Sequence, residues 1–292
     1  MSRGNMDFRA LVMGLSFAIM WSSAFTSARI AVVYASPLAM LSLRFVISGL
    51  IAVIIARALG QTARLNRKQW TTVVLFGICQ NAIYLGANFM AMQWIEASLA
   101  AIIASLLPLI VAAASWMFLG EHLSKASVLG LVAGAVGVMI IMGARLSGGA
   151  DLFGIALCFV GVAALTFATM LVRGISNSGN ILMIVGLQML VGSAVLLPAS
   201  LLLETFHVEW TWQLLVAFAY TTLIPGLAAT LIWFLLVGRV GPVRAASFHF
   251  LNPFLGVAIA ALVISEGLTG RDLLGVAIIM GGVFAVQMGR NN

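Results

Sequence analysis

Six side chains able to form hydrogen bonds are spaced along two strongly apolar stretches. Asn81, Tyr84 and Asn88 stand at i, i+3 and i+7 with Gln80 beside them, and His249 and Asn252 stand at i and i+3 just before Pro253. Such spacings place side chains on one stripe of a helix. In apolar surroundings, amides, a phenol and an imidazole recognise a small polar solute. They can equally bind neighbouring helices together, at about 0.6 kcal/mol per bond. Hydrolytic or metal chemistry needs more than this. No H-E-x-x-H or G-x-S-x-G occurs, and none of the eight Asp and Glu residues falls near the middle of an apolar stretch. The residue types therefore indicate recognition and not catalysis; no enzyme activity, metal or cofactor is expected.

The elements that carry these groups must be membrane helices. Hydrophobic residues make up 63% of the 292 and charged residues 8%, against roughly 25% charged in an average soluble domain. A mean hydropathy of +1.15 fits a chain solvated mostly by lipid. The net charge of +7 is scattered between apolar runs and forms no patch, so no nucleic-acid partner is expected. Cys79 and Cys158 each sit inside an apolar run, where packing is the expected role. A bilayer core needs roughly 20 apolar residues per helix. That ruler predicts ten spans, near 10–30, 38–59, 70–91, 97–118, 126–144, 152–172, 181–203, 212–236, 243–264 and 272–289. The first run, followed by "SSAFTSA", superficially resembles a secretory signal with a cleavage site, but it is long enough to span and is read as a helix.

Charge sets the orientation. With both termini on one side, that side receives Arg3, Arg9, Arg57, Arg64, Arg67, Lys68, Lys125, Arg173, Arg239, Arg244 and Arg290. The other receives Arg29, Arg145 and Arg271. The positive-inside bias then predicts cytoplasmic termini in a multi-pass bacterial inner-membrane protein.

The chain also repeats itself. "LLPLIVAAASWMFLGEHLS" at 106–124 returns as "LNPFLGVAIAALVISEGLT" at 251–269, so Pro108, Glu121 and Ser124 correspond to Pro253, Glu266 and Thr269 at an offset of 145. Gly130 and Gly137 correspond to Gly275 and Gly282, and Arg44 aligns with Gln188 at 144. Each half, 1–147 and 148–292, holds five predicted spans. Because five is odd, the second half crosses in the opposite sense. The expected fold is an all-α integral membrane protein of ten transmembrane helices, two five-helix repeats of inverted topology around a central cavity. Inverted repeats of this kind typify secondary transporters.

"WSSAF" in the first span, "SPLAMLSLRF" into the second, and the repeated fourth- and ninth-span stretches resemble the ten-helix EamA-type drug/metabolite transporters over the whole chain. Within them the sequence is most similar to bacterial exporters of aromatic and other neutral amino acids. The resemblance implies a central cavity lined by spans one, three, four, six, eight and nine. It implies a small-molecule cargo and surrounding lipid as partners.

Reading the middles of those spans extends the candidate list. Pro108, Pro225 and Pro253 lie at similar depth, where each frees a backbone carbonyl that only protein or a wet cavity can satisfy. Trp21 is central, while Tyr220 and Trp233 lie farther from the middle of the eighth span. Arg44 is the one basic residue well inside a span. At the bilayer centre it would cost roughly 2.5–3.5 kcal/mol. It lies a rise of roughly 9 Å from the span's end, so it is read as a snorkelling anchor. Glu121 and Glu266 precede Ser124 and Thr269, read as N-caps, and are assigned to holding hairpins together. Glycine ladders on spans five and ten suit close packing or a homodimer contact.

The favoured function is an alternating-access exporter. A channel would show rings of charge or a filter of carbonyls, and neither is legible. A proton-coupled exporter of drugs or other small metabolites stays open as the alternative, with His249 as the proton carrier because it alone among the histidines lies inside a span.

Overall fold

The computed structural model describes residues 8–119, 124–147, 149–171, 180–240, 245, 247–267 and 269–290. Six helices are long and apolar enough to cross a bilayer unaided: Phe8–Val32, Pro37–Ala58, Arg67–Ala91, Leu152–Leu171, Ile181–Leu203 and Trp212–Val240. They are spans one, two, three, six, seven and eight. Lys125–Ser147 and Gly270–Arg290 are spans five and ten. Spans four and nine are each broken beside their repeated proline. The fourth runs as Ala97–Ala104 and Leu107–Leu119, and the ninth as a tight 3-10 turn, Ser247–Leu251, followed by Asn252–Ile264. Proline has no N–H to donate but suits the first turn of a helix, so each chain restarts there. Among the described residues the only extended pairing is an isolated bridge between Ala35 and Val208.

Helix starts follow local chemistry. Asn66 Oδ1 accepts from the Gln69 backbone while Gln69 Oε1 accepts from that of Asn66, a reciprocal cap on span three. Asp151 caps span six through Gly154 N–H at 2.8 Å. Thr269 caps span ten as expected, exchanging hydrogen bonds with Asp272.

Spans three and eight contain π-helical segments, Gly77–Leu85 and Thr222–Ala229. Their starts are 222 − 77 = 145 residues apart, the offset of the repeated prolines. A π turn bonds five residues back instead of four and rotates everything beyond it relative to a regular helix. Pro225 lies inside the second segment; the first contains no proline.

The packing repeats in the same way. Span one rests on nine and eight, and span six rests on four and three; two pairs with seven, and five with ten. Exchanging the halves carries each contact onto its counterpart, as two inverted five-helix repeats require. Apolar side chains also cover the outside: Leu202 and Leu262 are each 84% exposed, a surface suited to lipid.

Spans five and ten meet through their glycine ladders. A Cβ at Gly137 would lie 2.9 Å from the Gly275 carbonyl, and one at Gly282 would lie 2.5 Å from that of Gly130. The faces expected to carry close packing or a homodimer are thus occupied within one chain.

Candidate functional site

Four aromatic rings from three spans gather near the middle of the molecule. Phe17 lies 5.5 Å from Trp21, 4.8 Å from Trp233 and 5.1 Å from His249 between ring centroids. Trp233 meets His249 edge-on at 5.0 Å. Edge-to-face contacts of this kind suit the ring quadrupoles. Trp21 also stacks toward Tyr84 of span three, 6.5 Å away with the planes only 4° apart.

Two small cavities meet at Trp21. The first, about 30 Å³, lies nearer the termini and is lined from spans one, three, four, six, eight and nine, including Phe17, Gln80, Leu107, Thr169, Trp233 and His249. The second, about 20 Å³, is bordered by Arg44, Asn81, Tyr84, Asn88, Pro225 and Gly226. Gln80 and Thr230 border both. At these volumes each holds about one water, so the centre is tightly closed in this conformation.

Several candidate residues also bind helices together. Asn81 donates to the backbone carbonyl of Gln188 in span seven at 3.0 Å; Asn88 donates within its own span to that of Tyr84 at 2.8 Å, while its Oδ1 accepts from Cys158 Sγ of span six at 3.5 Å. Ser22 donates to Asn252 Oδ1 at 3.3 Å, and the Asn252 amide lies 2.7 Å from His249 Nδ1. With that amide as donor, Nδ1 accepts and the ring hydrogen sits on Nε2. Asn252 is buried behind His249 and borders neither central cavity. Trp21, Asn81, Tyr84, His249 and Asn252 therefore do not share one chamber. Trp21 joins two.

Other candidates part from the sequence reading. Tyr220 points away from the aromatic cluster and meets Ser23 hydroxyl to hydroxyl at 2.7 Å. It borders a larger groove of about 1020 Å³ between spans one, eight and nine, on the side opposite the termini. Pro108 is buried beside the cavity-lining Leu107, while Pro253 begins the second half of span nine. Glu121 lies outside the described residues. Glu266 does not hold its own hairpin: it accepts from the N–H groups of Ala97 and Ser98 at 2.7 and 2.9 Å, capping span four of the other repeat. The Thr269–Asp272 pair already caps span ten, which leaves the Glu266 carboxylate free to reach across.

Arg44 is a correction. Its side chain does not snorkel; the residue is 4% exposed and borders the second cavity. Sequence reasoning also missed Phe17, Phe76 and Thr230, which are indistinguishable by type from packing residues. The hydroxyls of "SSAFTSA" gave a signal that was read otherwise. Ser22, Ser23 and Ser27 tie span one to spans eight and nine, Ser27 accepting from Thr221 at 2.9 Å.

The profile of the EamA-like transporter family matches residues 8–143 and again 152–288. The chain belongs to that family. Similar proteins include the uncharacterised transporter YvbV of Bacillus subtilis, 25% identical over 92% of this chain and 88% of its own. Protein PecM of Dickeya dadantii is 27% identical over 75% of this chain and 73% of its own. The uncharacterised inner membrane transporter YedA of Escherichia coli K12 is 26% identical over 98% and 94%. A solved crystal structure covering 97% of this chain and 98% of its own superposes with a TM-score of 0.70 at 20% identity, which shares the fold. As an EamA-like protein the chain is a multi-pass membrane transporter.

Proposed function

We propose that the protein exports aromatic and other neutral amino acids across the bacterial inner membrane by alternating access, with both termini cytoplasmic. The observation that carries this reading is the aromatic box of Phe17, Trp21, Trp233 and His249 beside a cavity edged by neutral amides. Aromatic walls suit a flat apolar side chain, and the amides suit its polar end. No Asp or Glu borders either central cavity among the described residues. A hydrophobic cationic drug would find no counter-ion there. The excess of Arg and Lys on the terminal side supports the orientation.

The transport cycle on this reading is facilitated exchange down the cargo's own gradient. Proteoliposomes preloaded with unlabelled L-phenylalanine should accumulate labelled L-phenylalanine by counterflow, saturably. Leucine should compete, and an organic cation such as tetraphenylphosphonium should not. Counterflow driven by the cation and not by any amino acid would reverse the assignment.

A further inference from the structure

The second cavity holds one charged group, and two of its three guanidinium nitrogens have no hydrogen-bond partner among the described residues. They are Arg44 Nε and Nη1, both buried. The guanidinium carbon lies 5.2 Å from the Phe45 ring centre and 5.8 Å from that of Phe89, contacts that attract a cation but accept no N–H bond in the plane of the fork. Gly226 leaves the opposite wall open: a Cβ there would stand 3.2 Å from Nη2 and 3.3 Å from Nε. The polar groups that share this cavity, Gln80, Asn81, Tyr84, Asn88 and Thr230, are all uncharged.

The scaffold itself does not demand a cation here. The position aligned with Arg44 in the second repeat is Gln188, which is equally buried yet neutral, although the two helices pack symmetrically as spans two and seven. A charge kept on one side of the repeat, unpaired and facing a cavity, serves something that the repeat alone does not contain.

We propose that Arg44 is the binding group for a carboxylate carried by the cargo. The assignment rests on the transporter reading and narrows its cargo to molecules with a free carboxylate. Buried guanidinium N–H groups left without a partner, on Nε and Nη1, call for an anionic acceptor, and their single charge is matched by one carboxylate. A phosphate dianion would bring two charges against one, and no second Arg or Lys borders the cavity among the described residues. Trp21 borders both central cavities, so a cargo anchored at Arg44 can lay its apolar end toward Trp233 and His249. An ammonium group, where the cargo has one, falls among the amide oxygens and the face of the Trp21–Tyr84 stack.

The test removes the charge from each partner in turn. On wild-type proteoliposomes exchanging L-phenylalanine, 3-phenylpropionate (carboxylate, no amine) should compete, whereas L-phenylalaninamide (amine, no carboxylate) should compete on the order of tenfold less well. Arg44→Lys should raise KM, and Arg44→Gln should abolish the difference between acid and amide. In parallel, the melting temperature of purified wild-type protein is measured with benzoate, phenylacetate, lactate and 3-phenylpropionate, each against its amide. Acids that stabilise more than their amides support the assignment even if Arg44→Gln fails to fold. If no acid exceeds its amide, or if Arg44→Gln keeps the preference, the assignment is overturned. An acid preference without exchange of any amino acid would retain Arg44 as the carboxylate site and remove the amino-acid reading.

Discussion

Trp21 and Tyr84 face each other with ring planes 4° apart and centroids 6.5 Å apart, one from the first span and one from the π-helical part of the third. Trp21 borders both central cavities, together with Gln80 and Thr230, so its ring forms part of the wall between them. Trp21→Ala should merge the two and weaken cargo binding, raising KM by about 3- to 10-fold, as loss of an aromatic pair implies. Trp21→Phe should recover most of this. Counterflow at several L-phenylalanine concentrations measures both. An unchanged KM in Trp21→Ala would place the cargo elsewhere.

Glu266 joins the repeats on the side opposite the termini. Its carboxylate receives the N–H groups of Ala97 and Ser98, which are otherwise the open end of span four. Charged hydrogen bonds at a helix start are stabilising through the unpaired amides and the macrodipole. Glu266→Ala should lower stability by about 1–2 kcal/mol, read as a reduced melting temperature in detergent. Glu266→Gln, which keeps one acceptor oxygen, should fall between it and wild type.

Gly137 allows span five to touch the backbone of span ten. A methyl there meets the Gly275 carbonyl and the Ile279 N–H, neither of which can rotate aside. Gly137→Ala should cost about 1–3 kcal/mol by overpacking. Gly281, with open space around its position, should accept alanine without loss. Thermal melts of the two variants side by side provide the comparison.

His249 is buried, and its Nδ1 is engaged by Asn252. On the facilitator reading, a pH gradient imposed with equal L-phenylalanine on both sides should produce no net accumulation. His249→Gln should alter KM without changing that result. Accumulation that vanishes in His249→Gln would establish proton coupling through this ring.

The termini and the 59–66 connection are expected on the cytoplasmic side. In a background lacking Cys79 and Cys158, Arg64→Cys should resist an impermeant thiol reagent in intact cells, and His207→Cys should react. Both positions are exposed, so reactivity reports the side of the membrane and not burial. The reverse pattern would invert the protein.

Span positions were legible in the sequence because apolar length is a strong one-dimensional signal. The predicted 181–203 is Ile181–Leu203, and the predicted 38–59 is Pro37–Ala58. The cap at Thr269 was legible for a similar reason, since its partner Asp272 is only three residues away. What failed depended on distance across the fold. Arg44 was read by its depth alone, and depth does not say whether a side chain faces lipid or a cavity. Glu266 was assigned to its nearest helix, while its partners lie 169 and 168 residues away. Tyr220 was grouped with Trp233 on one span, but a π-helical segment separates them and turns one relative to the other.

Those two π segments also carry a history. A π turn is what a helix shows when it has taken in one residue too many. Spans three and eight show it at the same distance from the repeated proline of the following span, so the simplest ancestry places the extra residue in a single five-helix unit before that unit was copied. Arg44, with glutamine at the matching place, marks where the two copies have since parted: one carries a charge that the other does not share.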